Sequence, residues 1–207
     1  MEIDPLRQVE SAIEALRSGG VVVYPTETLY GLGVDATDEA AVRRLVALKG
    51  REEGKPISVL VTDEGMLQTV SRAVPPAAQR LMRRFWPGPL TLALPAAAST
   101  SPLLTGGGQT IGVRCSSHPV ATALVAGLGR PMTTPSANPA GRDNARTVAQ
   151  ARAYFGSSVE EYVDGGTLDG GLASTVVDIG PPLRVLREGV ISSASIEATL
   201  RGDDSWQ

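Results

Sequence analysis

The chain has 207 residues, of which 42% are hydrophobic, 4% aromatic and 20% charged, with a formal net charge of −3. That suits one globular domain with a core of Ala, Val and Leu, and no apolar run approaches the roughly 18 residues of a membrane span. Cys115 and His118 are the only residues of their kinds, which excludes an internal disulfide, leaves too few ligands for a Cys/His zinc site and makes His118 the sole imidazole for serine–histidine chemistry.

In chain order, Met1 leads into Glu2 and Asp4 with no basic and then apolar leader, so a cytoplasmic protein is expected. Residues 5–18 read as an amphipathic helix with Pro5 near its start, closed by Gly19-Gly20. A strand at 21–25 ends at Pro25, which cannot donate a ladder hydrogen bond. It delivers the decapeptide Tyr24–Gly33, Y-P-T-E-T-L-Y-G-L-G. Two threonine hydroxyls, a carboxylate, two aromatic rings and two glycines read as a loop that hydrogen-bonds a small polar ligand rather than a buried hairpin. A helix over 38–49 with Asp38 as N-cap follows, then a strand at 57–61 and a short helix capped by Thr62 or Asp63. A helix at 75–86 is stopped by Pro87-Gly88-Pro89 before a strand at 90–94. Residues 96–108 read as a mobile loop rich in Ala, Ser, Thr and Gly. A strand at 110–114, a helix opened by His118-Pro119 and a strand across 131–135 lead to Ser136-Ala137-Asn138. A helix at 147–155, short strands at 161–164, 175–179 and 183–187, and a short helix before a polar tail complete the chain. The pattern implies a three-layer α/β or α+β domain with a mixed sheet.

Six polar clusters sit at the ends of these elements, where open sheets place ligands. They are Thr26–Tyr30; Lys49-Gly50-Arg51 continuing to Lys55-Pro56; Thr110 with Arg114; Pro135–Asn138; Ser174-Thr175; and Arg187-Glu188-Gly189. Thr110 and Arg114 share a face if the strand is regular. The cations between positions 43 and 55 fit either a solvated helix end or a phosphate or carboxylate clamp. No His–carboxylate dyad, carboxylate metal cluster, P-loop or G-x-G-x-x-G fingerprint is present. Hydroxyl, amide and cationic donors without a base suit chemistry driven by positioning and charge neutralisation, of which phosphoryl or nucleotidyl transfer is one class. From motif physics alone, the reading stops at an anion-binding α/β domain.

At these clusters the chain resembles the YrdC family, the threonylcarbamoyl-AMP synthases of tRNA modification. The resemblance covers roughly residues 8–192. It rests on the decapeptide, on Lys49-Gly50-Arg51 as a K-x-R element, and on Ser136-Ala137-Asn138 as an S-x-N element. Trp86–Thr91, Gly112–Arg114 with His118-Pro119, Ser174–Asp178 and Leu186–Gly189 follow in the family's order. It implies a YrdC-like domain over 1–207, with a twisted mixed sheet flanked by helices around a positively lined cavity and a polar tail after about 200. The implied reaction converts L-threonine, bicarbonate and ATP to L-threonylcarbamoyladenylate and pyrophosphate, with Mg2+ accompanying ATP. A downstream threonylcarbamoyl transferase would use the product, with possible contact to tRNA and none to a membrane.

Carried over by position, Thr26, Thr28, Arg114, Thr134 and Thr175 would meet threonine, with Arg114 on its carboxylate. Lys49, Arg51, Ser136 and Asn138 would be catalytic. Arg51, Lys55, Thr110, Ser136, Asn144 and Arg187 would bind the nucleotide. Two departures stand out: Leu60 replaces a histidine of some longer relatives, and Asn144 falls where many carry a serine. The longer relatives carry a further C-terminal domain, so a short form is expected. Cys115 is read as a small strand residue, and His118 as a helix start. Competing readings are an RNA-binding paralogue of the same fold, against which the charge of −3 argues, and carbamoyl transfer through a carbamoyl-adenylate.

Overall fold

The computed structural model describes residues 5–50, 54–168 and 171–202. Its elements in order are α1 (Pro5–Arg17), β1 (Val22–Pro25), β2 (Tyr30–Gly33), α2 (Glu39–Lys49), β3 (Val59–Leu60), α3 (Glu64–Val70), α4 (Pro76–Phe85), β4 (Leu90–Pro95) and α5 (Pro102–Thr105). Then come β5 (Thr110–Arg114), α6 (Pro119–Leu128), β6 (Met132–Thr133), α7 (Val148–Phe155), a 3-10 turn (Gly156–Ser158), β7 (Glu161–Tyr162), β8 (Thr175–Asp178), β9 (Arg184–Arg187) and α8 (Ser193–Arg201). The caps are those the sequence marks. Asp38, Asp63, His118 and Thr147 each accept backbone N–H groups at a helix start.

The architecture is mixed α/β, as expected, but the strands form two sheets, not one. A three-stranded sheet runs β2-β1-β7, and a six-stranded sheet runs β6-β3-β5-β4-β8-β9. Each mixes parallel and antiparallel pairs. The segment 131–137 joins them. Its β6 pairs with β3, while Leu32 N–H donates to Pro135 O (2.8 Å), Ala137 N–H to Tyr30 O (2.8 Å) and Thr133 N–H to Val34 O (3.0 Å). Alternation along β1 sends Val22 and Tyr24 into a core with Ala12 and Leu16 of α1 and Leu124 and Leu128 of α6. Val21 and Val23 face the larger core with Leu32 and Leu45.

Two further expectations need correction. The decapeptide is a buried hairpin as well as a cavity-lining turn: β1 pairs antiparallel with β2, Tyr24 opposite Gly31 and Val22 opposite Gly33, while Thr26, Thr28 and Leu29 line a cavity. Its two glycines serve packing. A Cβ at Gly31 would lie 2.8 Å from Tyr24 Cζ, and one at Gly33 2.9 Å from Tyr24 Cε1. The fully buried Tyr24 ring lies across them and donates its hydroxyl to Thr133 O at 2.9 Å. Residues 96–108 are also not a bare loop. They contain α5, capped by the Ser101 hydroxyl, with Leu104 and Thr105 buried and Leu104 O accepting from Ile57 N–H at 2.8 Å.

Gly31→Ala should therefore cost about 1–3 kcal/mol, as overpacking does. Thermal unfolding should show a midpoint lower by several degrees, at about 2–4 °C per kcal/mol for a chain of this size. In a Tyr24→Leu background the cost should shrink; an equal cost in both backgrounds would show that the ring is not the obstacle.

Candidate functional site

A cavity of about 280 Å³ opens where the two sheets meet. The β1–β2 turn contributes Thr26, Thr28 and Leu29, and the joining segment contributes Thr134, Pro135 and Ser136. The large sheet adds Ser58, Thr91, Arg114, Ser174 and Arg187, and Asn144 closes one side. Strand register brings the sheet residues together. Arg114 lies opposite Leu60 of β3, and Thr91 lies at the start of β4, which runs antiparallel to β5. Gly112 lies between Ser58 and Thr91. A Cβ there would sit 2.5 Å from Ser58 Oγ and 3.4 Å from Thr91 Cγ2, so only glycine lets both hydroxyl residues approach.

One end of the cavity is a directed hydrogen-bond network. Thr26 Oγ1 donates to Leu29 O (2.6 Å) and accepts from Leu29 N–H (3.1 Å), closing the turn. Thr26 Oγ1 also accepts from Thr28 N–H (3.2 Å), and the Thr26 and Thr28 hydroxyls lie 3.0 Å apart, with either oxygen able to donate. Thr28 Oγ1 in turn accepts from Arg114 Nη2 at 3.0 Å. Thr28 is thus held by side chains alone on the cavity wall. Arg114 is only 4% exposed, and its Nε is buried without a hydrogen-bond partner. Burying that donor unpaired is costly, so the guanidinium carries hydrogen-bonding capacity that its protein partners leave unfilled. Glu27 Oε1 lies 3.0 Å from the same Nη2, and Glu27 also accepts a short bond from the Ser116 hydroxyl. Burial pushes the Glu27 carboxyl up, but Arg114 and Ser116 together outweigh it and hold it below the ordinary carboxylate value.

The other end is more open. Arg187 Nε and Nη2 both donate to Ser174 O (3.1 and 2.9 Å), and the Ser174 and Thr91 hydroxyls are 3.0 Å apart. Arg187 and Arg114 line the same cavity, and partial burial and the charge of Arg114 lower the pKa of Arg187. Ser136 Oγ donates to Asn138 Oδ1 at 2.6 Å, and Asn138 Nδ2 to Arg142 O at 2.6 Å.

Among the residues expected to form the site, Thr26, Thr28, Arg114, Thr134, Ser136, Asn144 and Arg187 line the cavity. Others are placed elsewhere. Thr175 does not line it: its buried hydroxyl donates to Ile191 O (2.6 Å) and accepts from Gly189 and Ile191 N–H (3.0 Å each), which exhausts it. Thr110 shares a face with Arg114 as expected but is exposed at the far end of β5, about 13 Å along the strand. Lys49 is 4% exposed and turns inward, its Nζ donating to Ser136 O (2.5 Å) and Asn138 O (2.6 Å), so its charge fixes the loop after β6. Asn138 braces the same loop. Lys55 is exposed beside Pro56, which lines the cavity. Arg51 lies outside the described residues. Ser58 and Thr91 were missed, although each is a lone hydroxyl in an apolar strand and so required a polar space beside it. Burial and nearby Glu27 push the Cys115 thiol up, away from thiolate chemistry, and His118 Nδ1 is spent on Val120 N–H at 3.2 Å. Among the described residues no group of three or more His, Cys, Asp or Glu could hold a metal ion.

The sequence model of the Sua5/YciO/YrdC family, described as telomere recombination, matches residues 14–189. The chain belongs to this family. The threonylcarbamoyl-AMP synthase of Thiobacillus denitrificans is 43% identical over 79% of this chain and 87% of its own. That of Pyrococcus abyssi is 36% identical over 93% of this chain and 57% of its own. The solved P. abyssi Sua5 complexed with L-threonine has a TM-score of 0.90 at 35% identity, covering 96% of this chain and 58% of that one. The chain therefore spans little more than half the length of the P. abyssi relative. The Sua5/YciO/YrdC fold here is that expected from the resemblance. Among the described residues no helix is long and apolar enough to cross a membrane.

Two measurements separate scaffold from site. Thr175→Val orphans two N–H groups and a carbonyl, and should cost about 2 kcal/mol or more in denaturant unfolding, with ligand affinity preserved in the folded fraction. Glu27 has a folded-state pKa below its unfolded one, so its stabilisation is present above the unfolded pKa and lost as pH falls through the folded pKa. Wild type should exceed Glu27→Gln in stability at neutral pH, and the gap should close on acidification; a gap independent of pH would exclude this linkage.

Proposed function

We propose that this chain condenses L-threonine, bicarbonate and ATP into L-threonylcarbamoyladenylate, releasing pyrophosphate and water. The observation that carries the reading is the buried Arg114, whose Nε is unpartnered beside Thr28, in a fold shared with a threonine-bound relative. A guanidinium is the natural partner of an amino-acid carboxylate. The Thr28 hydroxyl beside it suits a polar group of the same molecule. Threonine would thus occupy the closed end of the cavity and present its amine toward the open end. There the amine would take up the carboxyl group of bicarbonate, with loss of water. A carbamate oxygen would then attack the α-phosphorus, forming an O–P bond as the bond to pyrophosphate breaks.

Arg187, Lys55 and Arg51 are the cations assigned to the phosphates, with Ser136 and Asn144 as polar contacts and Thr110 too remote except for a distal part of the nucleotide. Lys49 and Asn138 act through the loop they hold. Magnesium is assigned to the ATP, since this ion usually binds through substrate phosphates and keeps several waters. Among the described residues no carboxylate lines the cavity as a base, so catalysis rests on positioning and charge compensation. The product would pass to a threonylcarbamoyl transferase acting on tRNA, in the cytoplasm, and residues 8–192 would form the one YrdC-like domain that does this.

Purified protein given ATP, bicarbonate and threonine should release pyrophosphate only when threonine is present. Arg114→Gln should lower kcat/KM for threonine by about 100-fold, the scale of losing a buried charge-assisted pair. Folded wild-type protein that releases no threonine-dependent pyrophosphate, yet binds tRNA in a salt-dependent manner, would replace this reading with the RNA-binding one.

A further inference from the structure

We propose that Glu27 is the positioning residue of the cavity: its carboxylate holds the Arg114 guanidinium in the orientation that meets the ligand carboxylate, and it sets affinity for the amino acid without touching it. The inference rests on the threonine reading above. Glu27 itself does not line the cavity. It stands behind Arg114, on the turn that also carries Thr28. Arg114 Nη2 is shared between Glu27 Oε1 and Thr28 Oγ1, both at 3.0 Å. A guanidinium is planar and rigid, so a hydrogen bond to Thr28 and an ion pair to Glu27 on one terminal nitrogen restrict the orientation of the whole group. The carboxylate is in turn fixed from the other side. The Ser116 hydroxyl donates to Oε2, and Ser117 N–H donates to Oε1 at 3.3 Å. The Ser116 oxygen also accepts from His118 N–H at 3.2 Å, which anchors it to the start of α6.

Charge demands the same residue. Arg114 is buried, and Arg187 lines the same cavity. Before a ligand arrives, an unbalanced guanidinium here would be expelled or would seek another partner. Glu27 supplies the counter-charge on Nη2 and leaves the rest of the guanidinium for the substrate. A bland staple joining the turn to residues 115–117 would need the hydrogen bonds but not the effect on Arg114.

The test compares wild type with Glu27→Gln, which keeps the side-chain shape and removes the charge. In ligand-free protein, water exchange of the Arg114 Nε–H measured by nitrogen-15 NMR should become about tenfold faster. In pyrophosphate release, the threonine KM should rise about tenfold, with the ATP KM and kcat at saturating threonine changed by less than about twofold. Faster exchange in a protein whose wild type shows no threonine-dependent activity upholds the positioning role and removes the substrate reading. An unchanged exchange rate overturns the positioning role whatever the kinetics. So does faster exchange with an unchanged threonine KM in an active enzyme. Should Glu27→Gln fail to fold, Glu27→Asp, which keeps the charge but withdraws it by one methylene, is measured in the same way.

Discussion

The segment 131–137 uses both edges of its backbone, and the site depends on that. Toward the small sheet it exchanges hydrogen bonds with residues 30–36, and toward the large sheet it pairs through β6 with β3 and gives Thr134 N–H to Ser58 O at 2.8 Å. Main-chain bonds have little freedom to slip, because a one-residue shift would turn every side chain to the other face. The turn bearing Thr28 and the strand bearing Arg114 belong to different sheets, yet their side chains meet at 3.0 Å. That contact is reproducible only because a third segment fixes the distance between the sheets. The Tyr24 hydroxyl on Thr133 O and Lys49 on the carbonyls of Ser136 and Asn138 extend the same joint at its two ends.

The second constraint is electrostatic. Two arginines face one cavity, and the buried one carries the larger desolvation cost. A cavity that only gathered positive charge would be hard to fold without its ligand. The answer is asymmetric. Arg114 is balanced by Glu27 in the closed end, whereas Arg187 stays partly in water and rests on the neutral oxygens of Ser174. The closed end is therefore close to charge-neutral, and the open end retains a net positive field.

Much of this was legible in the sequence. The helices, their caps and most strands follow from periodicity and from Asp38, Asp63, His118 and Thr147. The ordered clusters also found the family. What escaped were features of pairing. The glycines of the decapeptide look like a ligand loop in one dimension. Only the register that sets Tyr24 against Gly31 shows that they make room for a ring. Splitting of the strands into two sheets escaped for the same reason, since it depends on which edges the segment 131–137 bonds. Glu27 was undervalued because its partner stands 87 positions away, at the end of β5. Ser58 and Thr91 escaped because a hydroxyl in a strand reveals its role only when the neighbouring strand shows what space it faces.

Hydrogen-bond capacity finally decides which hydroxyls in such a site can serve a ligand. A threonine hydroxyl offers one proton and two lone pairs. Thr175 has spent all three on residues 189–191, so its fully buried side chain braces the chain reversal after β9. Thr26 gives its proton to Leu29 O and accepts from the Thr28 and Leu29 N–H groups, which likewise uses all it has. Thr28 differs: its oxygen lies 3.0 Å from the Thr26 hydroxyl and 3.0 Å from Arg114 Nη2, and among the described residues no backbone group binds it. Three threonines that look alike in the sequence thus divide into two that build the scaffold and one that is held on the cavity wall by side chains alone.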